Sequence, residues 1–467
     1  MAADKSDQSK GADRFLSRLD RELDKLSLTS KQKEQLTPKL LKHTLFLDTD
    51  GGKKTGGNLR EDSEALDFKK RIKETIDLFA HEGLTVESYL HAALKQPSLL
   101  LQSPDTIAAN INGVVEQFRA EGLTIKEYLQ AAVNEPSMFS QSPDTVVANI
   151  IGLVEWFAAE GLTIKNYLRA ALKQPSLFHR PPRAIAANII AMVERFAPEG
   201  LTVKHYVHAA IKQPALFYQS PATIAANITG LVERFTAEGL TVKKYLRVAI
   251  KKPPLFYQAP ATVAGNINGV VERFAVEGLT VSDYLRATLK QPTLFSLSPD
   301  TIAAKINAVV ERFSAEGLTV KDYLQAARSQ PTLFYQKPAT TIRHINLILA
   351  MYDSGICILP RPRSEAVRAK IHLHVHGPVI AFLIRYPHML CRDESNLHLR
   401  RLYIELSGAA PDSVMWSRPR KEVERLLMQH LGHDDPNCVI SKNASPVLRK
   451  LIVDGFIKGA SLEEGSR

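Results

Sequence analysis

Apolar residues recur along most of this chain at the spacing of an α-helix, and the pattern itself returns every 39 residues. In one such unit, Ile125, Tyr128, Leu129, Ala132 and Val133 lie three and four residues apart, or adjacent, which predicts an amphipathic first helix. A second apolar stripe follows at helical spacing and comprises Val146, Ile150, Val154 and Phe157. Each unit therefore predicts two helices, of roughly 12 and 18 residues.

The ends of both helices are marked by residues that favour such ends. Thr124 and Glu127 can form a capping box at the start of the first helix. Pro136 lacks an N–H group and predicts the end of that helix. Pro143 suits the first position of the second helix, and Gly161 can end that helix in a left-handed conformation. The unit is therefore predicted to be a helical hairpin.

Seven copies of this unit span residues 83–354. The glycine that separates the units recurs without a slip, as Gly83, Gly122, Gly161, Gly200, Gly239, Gly278 and Gly317. A single pair of helices cannot bury both apolar stripes, whereas stacked neighbours can. We therefore predict an all-α protein, an α-solenoid of seven 39-residue two-helix repeats with helical caps.

The repeat region is predicted to occupy residues 59–355, because residues 66–82 match the second helix of a copy and begin the stack as a half-repeat. Residues 1–58 predict a polar tail with a helical segment, followed by a flexible joint at residues 48–58. Residues 356–467 predict a helical C-terminal region. Its residues 385–390 (RYPHML) stand where Lys-Gln-Pro-Ser-Leu-Phe stands in regular copies, which indicates one degenerate repeat.

The order Gly-Leu-Thr, a leucine, Pro-x-Leu-Phe, Ser-Pro and a long helix resembles the repeat of the mitochondrial transcription termination factor family (mTERF-like). This resemblance covers the seven copies and implies an all-helical superhelix that binds nucleic acid. A weaker likeness is to the modular DNA-binding effector repeats of plant-pathogenic bacteria, whose units also begin with Leu-Thr and end in Gly. That likeness implies DNA binding by a secreted effector.

Charge and composition permit these functions and narrow the compartment. The 467 residues carry a net charge of +11, which permits an acidic partner without requiring one. The three cysteines exclude a disulfide scaffold and favour a reducing compartment. No apolar run approaches the roughly 18 residues of a membrane span, and no signal peptide is evident. We expect a soluble intracellular protein, with secretion into a host cell and nuclear action as alternatives.

Basic residues recur at three registers of the repeat, so that stacking would align them in rows. One row lies in the first turn of the first helix and comprises Lys126, Lys165, Lys204, Lys243 and Lys321. A second lies near the end of the second helix and comprises Arg195, Arg234, Arg273 and Arg312. A third lies at the end of the first helix and comprises Lys95, Lys173, Lys212, Lys251 and Lys290. These rows are the candidate nucleic-acid-binding residues, and a merely solvated helix face is the alternative.

Charge is uneven along the array. The copies that begin at Gly83 and Gly122 are net negative, whereas most later copies are net positive. A site for a polyanion is therefore predicted in the middle and C-terminal copies, around residues 161–277. The first two copies would then serve as a cap or contact another partner.

Two positions vary in an otherwise constant framework. One comprises Ser88, Glu127, Asn166, His205, Lys244, Asp283 and Asp322, and the other comprises Leu101, Ser140, His179, Tyr218, Tyr257, Ser296 and Tyr335. Variable polar positions are typical of helical repeats that read one base each, and aromatic side chains can stack on bases. Unselected surface positions and local packing of the aromatic rings are the alternatives.

We find no sequence pattern for a catalytic centre or a cofactor, and therefore predict a protein that is not an enzyme. His372, His374 and His376 would share one face of a strand and could hold a metal, but three polar residues near a helix start are the simpler interpretation. The leading hypothesis is nucleic-acid binding, to DNA or RNA, through the basic rows. The alternative is a protein–protein interaction solenoid, such as a secreted bacterial effector that acts on a host partner.

Overall fold

The computed structural model describes residues 30, 68–353 and 387–391 and, further on, residues 396, 397, 399–401, 403 and 418–430. These residues form α-helices and short 3₁₀ turns, and none of them lies in a β-strand. The chain divides into two compact units, residues 1–226 (unit 1) and 227–467 (unit 2). Within each unit, helical hairpins stack on one another, as predicted for an all-α solenoid.

The described helices follow the predicted order. The half-repeat forms α1, Phe68–Phe79. The first helices of copies 1 to 7 are α2 (Val86–Lys95), α4 (Ile125–Asn134), α6 (Ile164–Lys173), α8 (Val203–Lys212), α10 (Val242–Lys251), α12 (Val281–Lys290) and α14 (Val320–Ser329). The second helices are α3 (Pro104–Phe118), α5 (Pro143–Phe157), α7 (Pro182–Phe196), α9 (Pro221–Arg234), α11 (Pro260–Arg273), α13 (Pro299–Arg312) and α15 (Pro338–Asp353). A later helix, α16, spans Arg420–His430.

The helix ends confirm the predicted caps. Thr124 and Glu127 form a capping box at the start of α4. Pro143 is the first residue of α5, and Gly161 has a φ of 90°, in the left-handed region that favours glycine. The predicted helix lengths were wrong, because first helices have 10 residues and α3, α5 and α7 have 15. The remaining residues lie in tighter turns, which satisfy the last carbonyl groups.

The proline after each first helix begins a 3₁₀ turn. In copy 2 this turn spans Pro136–Phe139 and buries Met138 and Phe139. The turn joins the two helices of a copy with a pair of apolar side chains that point into the core. In the predicted stripe of α5, Val146, Ile150 and Phe157 are buried, and Leu153 is buried in place of Val154.

Unit 1 has two layers of helices. The first helices pack side by side, α2 on α4, α4 on α6 and α6 on α8. The second helices form the other layer, with α1 on α3, α3 on α5 and α5 on α7. Each second helix also contacts the first helix of the following copy, so that the core lies between the two layers. The half-repeat predicted at residues 66–82 thus takes its place as the first member of the second layer.

Unit 2 repeats this arrangement. Its first helices pack α10 on α12 and α12 on α14, and its second helices pack α11 on α13 and α13 on α15. The 3₁₀ turn Pro387–Cys391 packs against α15, with Met389 and Leu390 buried. This turn lies where the degenerate repeat was predicted. The predicted N-terminal helical segment, apart from residue 30, the joint at residues 48–58 and most of the predicted C-terminal region lie outside the described residues.

One ring contact joins successive copies within each unit. The tyrosine of a first helix meets the phenylalanine of the next copy's 3₁₀ turn edge to face, with ring centroids 5.3–5.8 Å apart. In unit 1 the pairs are Tyr89–Phe139, Tyr128–Phe178 and Tyr167–Phe217, and in unit 2 they are Tyr245–Phe295 and Tyr284–Phe334. Because the contact is similar at each of these joints, it favours a regular step from copy to copy within each unit.

Candidate nucleic-acid interface

Three positions of every first helix are exposed in all seven copies. They are the second, sixth and tenth residues, such as Lys165, Arg169 and Lys173 of α6. Residues four apart lie on one face of an α-helix, so these positions form a stripe along each helix. The fourth and eighth residues are buried in every copy, which turns the stripe away from the second layer. We call these positions the outer stripe.

Two of the three predicted basic rows lie on the outer stripe. The row in the first turn, at the second position, comprises Lys126, Lys165, Lys204, Lys243 and Lys321, all exposed. The row at the tenth position comprises Lys95, Lys173, Lys212, Lys251 and Lys290, all exposed. The two rows are separated by eight residues, or about 12 Å along the helix. The structure therefore brings them together on one surface of each unit.

The sixth position of the outer stripe was missed by the sequence-based prediction. Its residues are His91, Gln130, Arg169 and His208 in unit 1, and Arg247, Arg286 and Gln325 in unit 2. This row lies about 6 Å from each lysine row, measured along the helix. The i, i+4, i+8 spacing in Lys165-Arg169-Lys173 and in Lys243-Arg247-Lys251 was the signal in the sequence that could have revealed it.

Contacts between copies confirm that the outer stripes of neighbouring first helices lie side by side in unit 1. The Nζ atom of Lys95 lies 3.4 Å from the carbonyl oxygen of Asn134, at the same position one copy later. Lys126, Gln130 and Asn134 line a shallow cavity of about 410 Å³ together with Glu82 and Gly83 from the previous turn. The stripe of one copy therefore borders the turn of the copy before it.

The electrostatic character of the stripe changes along unit 1. The sequences of α6 and α8 contain no carboxylate, whereas α2 contains Glu87 and α4 contains Glu127. The three stripe residues of α6 are all cationic, and α8 contributes Lys204, His208 and Lys212. With no acidic side chain on either helix, these cations are left to attract anions from solution. Among the first helices of unit 1, α6 and α8 are thus the most basic.

Unit 2 shows a similar change in the opposite order. The helix α10 has four cations and no carboxylate, with Lys243, Arg247 and Lys251 on its outer stripe. In α12, Asp283 lies 3.7 Å from Arg286 and 3.6 Å from Arg328 of α14. Arg328 also donates to the carbonyl oxygen of Gly278. The positive charge of α10 is therefore open to solvent, whereas part of that on α12 and α14 is neutralised by ion pairs.

The predicted arginine row lies elsewhere. Arg195, Arg234, Arg273 and Arg312 are exposed near the ends of second helices, in the other layer. Arg273 pairs with Asp300, and Arg312 lies 3.8 Å from Glu316. The structure does not bring this row onto the outer stripe with the lysine rows. The sequence could not show this, because a register within a repeat does not say which layer faces which way.

The first variable row is part of the helix caps. Its residues occupy the third position of each first helix, where the backbone N–H bonds the N-cap threonine. The side chains of Ser88, Glu127 and Asp322 return to that threonine and complete capping boxes. The Nζ atom of Lys244 donates to the carbonyl oxygen of Gly239, at 2.7 Å. Variation at this position therefore acts on helix ends.

The second variable row packs between copies. Ser140 accepts a hydrogen bond from Gln96 at 3.2 Å, and Tyr335 accepts one from Gln291 at 2.9 Å. The guanidinium of Arg180 lies 4.8 Å from the centroid of the Tyr218 ring. These aromatic rings are half-buried against neighbouring turns, so local packing accounts for them.

Other chemistry among the described residues is limited. No group of three or more potential metal ligands occurs there, and His372, His374 and His376 lie outside them. Cys391 is half-buried, and burial raises the pKa of its thiol to about 11, so little thiolate exists at neutral pH. No helix in this part of the chain is both long and apolar enough to cross a membrane.

The repeated tyrosine of the first helices is a core residue. Burial raises the pKa of Tyr89 to about 12 and also raises the pKa of its six equivalents. Six of the seven hydroxyl groups donate to a carbonyl oxygen ten residues later, as in Tyr167 to Leu177 at 3.0 Å. The exception is Tyr128, whose hydroxyl has no partner among the described residues.

Fold and surface together define an all-α helical repeat protein of the α-solenoid class, with an exposed basic stripe in the first-helix layer of each unit. No model of a known protein family matches the chain, and no curated protein matches it in sequence.

Proposed function

We propose that this protein is a non-enzymatic, nucleic-acid-binding repeat protein, and that each unit has its own binding surface, formed by the outer stripes of α6 and α8 in unit 1 and by that of α10 in unit 2. The observation that carries the proposal is the lack of any carboxylate on these three helices, while their stripes hold lysine or arginine at eight of nine positions, with His208 at the ninth. Rows of cations on helices that carry no carboxylate suit a phosphate backbone. The resemblance of the repeats to the mitochondrial transcription termination factor family supports the same function.

The experiment compares two variants with equal loss of charge. In the first, Lys165, Lys204 and Lys243 are replaced by glutamine, which removes three cations from the outer stripe. In the second, Arg195, Arg234 and Arg312 are replaced by glutamine, which removes three cations from the second layer. Binding to DNA and RNA is measured by gel shift over a range of salt concentrations. Since all six residues are exposed, neither variant should lose its helical circular dichroism.

We expect the lysine variant to bind weakly and to show a shallower dependence on salt. Three lost phosphate contacts would lower the slope of log K against log salt by about 2 to 3. The arginine variant should keep most of its affinity. Equal behaviour of both variants would show that general charge attracts nucleic acid, and unchanged binding of the lysine variant would reject the outer stripe.

A protein partner is the second candidate, and one observation favours it. In the half-repeat and in copy 2, the positions equivalent to the arginine row are occupied by Leu78 and Trp156. Their side chains are 43% and 51% exposed. Large exposed apolar side chains are typical of protein contacts. A secreted effector that binds a host protein would use this second-layer surface. Trp156→Ala would then abolish capture of that protein and leave nucleic-acid binding intact.

A further inference from the structure

The sixth position of the outer stripe differs in chemistry from the two lysine rows that flank it. All seven of its residues are His, Gln or Arg, each with a planar group that can make paired or directional hydrogen bonds. The flanking positions hold lysine in five of seven copies each. Lysine acts as a point charge, whereas arginine and glutamine can bond two acceptor or donor atoms of one base at a time.

We propose that, within each unit, the sixth-position row reads the bases of a single-stranded nucleic acid, one base per copy, while the lysines of that unit's outer stripes hold its phosphates. This inference rests on the proposed function and assigns sequence recognition to particular residues. In unit 1 the reading residues are His91, Gln130, Arg169 and His208, and in unit 2 they are Arg247, Arg286 and Gln325.

Packing of the first helices argues against a duplex. A helix with its side chains is about 10–12 Å wide and can enter the major groove of DNA, which is about 12 Å wide. Each of α4, α6 and α12 has another first helix packed on both sides, at a typical interaxial distance of about 8–10 Å. A helix so flanked cannot enter the groove. The same step equals two to three base pairs of a duplex, at about 3.4 Å each, so neighbouring copies could not read successive pairs.

A single strand avoids both obstacles. Its bases can be splayed apart and presented one per helical repeat. The near-constant ring contacts between copies keep the step regular within each unit, as such reading requires. Arg169 and Arg247 make no ion pair among the described residues, so their guanidinium groups are available to a base. Arginine favours guanine, and glutamine favours adenine.

The test selects preferred sequences from randomised pools of single-stranded RNA and single-stranded DNA, with the full chain and with Arg169→Gln. We expect the full chain to enrich a base pattern, and the variant to change one guanine of that pattern to adenine with a preference of about tenfold or more. Gln130→Arg should make the reverse change at a neighbouring base. Arg183→Gln, an exposed site in the second layer, serves as the matched control and should change neither the pattern nor the affinity.

Lys165→Gln separates this inference from the proposed function. It should weaken binding to all sequences alike and lower the salt slope by about 0.7, because it removes one phosphate contact. Were Arg169→Gln to behave in the same way, or were no base pattern enriched, the sixth-position row would not read bases, although nucleic-acid binding would stand. Tighter binding to a duplex than to either single strand would also overturn the inference. Failure to bind any nucleic acid would reject both proposals.

Discussion

The helices α2 and α4 can be compared directly with α6 and α8, since all four pack in the first layer of unit 1. Their cores are alike: the tyrosine rings of α2, α4 and α6 meet the next copy's phenylalanine at 5.8, 5.3 and 5.6 Å. Their outer stripes differ, because Glu87, Gln130 and Asn134 of α2 and α4 give way to cations and His208 in α6 and α8. The fold therefore does not depend on the stripe, and charge can vary there without loss of packing.

The largest effect should come from ionising the buried tyrosine row, which both pairs of helices share. The tyrosine row is protonated in the folded chain, and burial holds its pKa above the ordinary value of about 10. A group with a raised folded pKa stabilises the fold fully below its unfolded pKa and loses that contribution as pH rises toward the folded pKa. Each buried tyrosine should therefore lower the free energy of unfolding by about 1.4 kcal/mol per pH unit above pH 10.

We therefore expect cooperative unfolding between about pH 10 and 12, with no loss near pH 8. Tyrosinate absorbance and helical circular dichroism should be followed together. The chain has 13 tyrosines, of which seven form this row. Ionisation of those seven should coincide with loss of helix. Ionisation of all 13 tyrosines near pH 10 with the helices intact would contradict the buried row.

Phe178→Ala should break the stacking at one joint. The side chain is fully buried in the 3₁₀ turn of copy 3 and meets Tyr128 of copy 2. Loss of a buried phenylalanine costs about 3–5 kcal/mol. Because a repeat array depends on contacts between neighbours, we expect urea unfolding to separate into two transitions. His179→Ala, at the next residue on the half-buried variable row, is the control and should keep one transition.

Exchanging the stripes would sharpen the comparison. In one variant Gln130→Arg and Asn134→Lys give α4 the stripe of α6, and in the other Arg169→Gln and Lys173→Asn give α6 the stripe of α4. If the proposed function is correct, the first should bind nucleic acid more tightly and the second more weakly, each by roughly tenfold at low salt, with salt slopes changed by about 1 through the exchanged lysine. The free energy of unfolding should stay within about 0.5 kcal/mol in both. If both variants bound nucleic acid as tightly as the unchanged protein, the outer stripe would not be the binding surface.

The smallest effect distinguishes two tyrosines that the repeat treats alike. Tyr167 donates a hydrogen bond to the carbonyl oxygen of Leu177 at 3.0 Å, whereas Tyr128 buries its hydroxyl without a partner among the described residues. Tyr167→Phe should cost about 1 kcal/mol of unfolding free energy. Tyr128→Phe should be neutral or slightly stabilising, because it removes an unsatisfied polar group. Urea denaturation of the two variants measures the difference, and equal losses would contradict it.

The repeat made much of the fold predictable. Thr124, Pro143 and Gly161 mark helix ends by local preferences, and each performs the predicted role. Helix lengths could not be predicted as well, since a 3₁₀ turn follows directly on α3 at Arg119–Glu121, and the turn Pro136–Phe139 after α4 continues the apolar pattern. The periodic pattern shows which residues are apolar, but it does not distinguish a 3₁₀ turn from the last turn of an α-helix.

The candidate site was predicted only in part. The lysine rows at the second and tenth positions were identified from the 39-residue period, but the sixth position between them was missed. The 39-residue period relates equivalent positions from copy to copy, whereas the stripe also runs along each helix at a spacing of four residues. The arginine row has the same period as the lysine rows, and only the packing of two layers separates them.

The sequence by itself determined the two-helix unit, its copy number and its caps, because these depend on contacts within about 40 residues of chain. It also determined that cations recur once per copy at several registers. Tertiary structure alone decided which registers share a surface, since that depends on which side of each helix the neighbouring layer covers. For this protein, packing placed two lysine rows and the sixth-position row on one face of each unit. The predicted arginine row lies in the other layer.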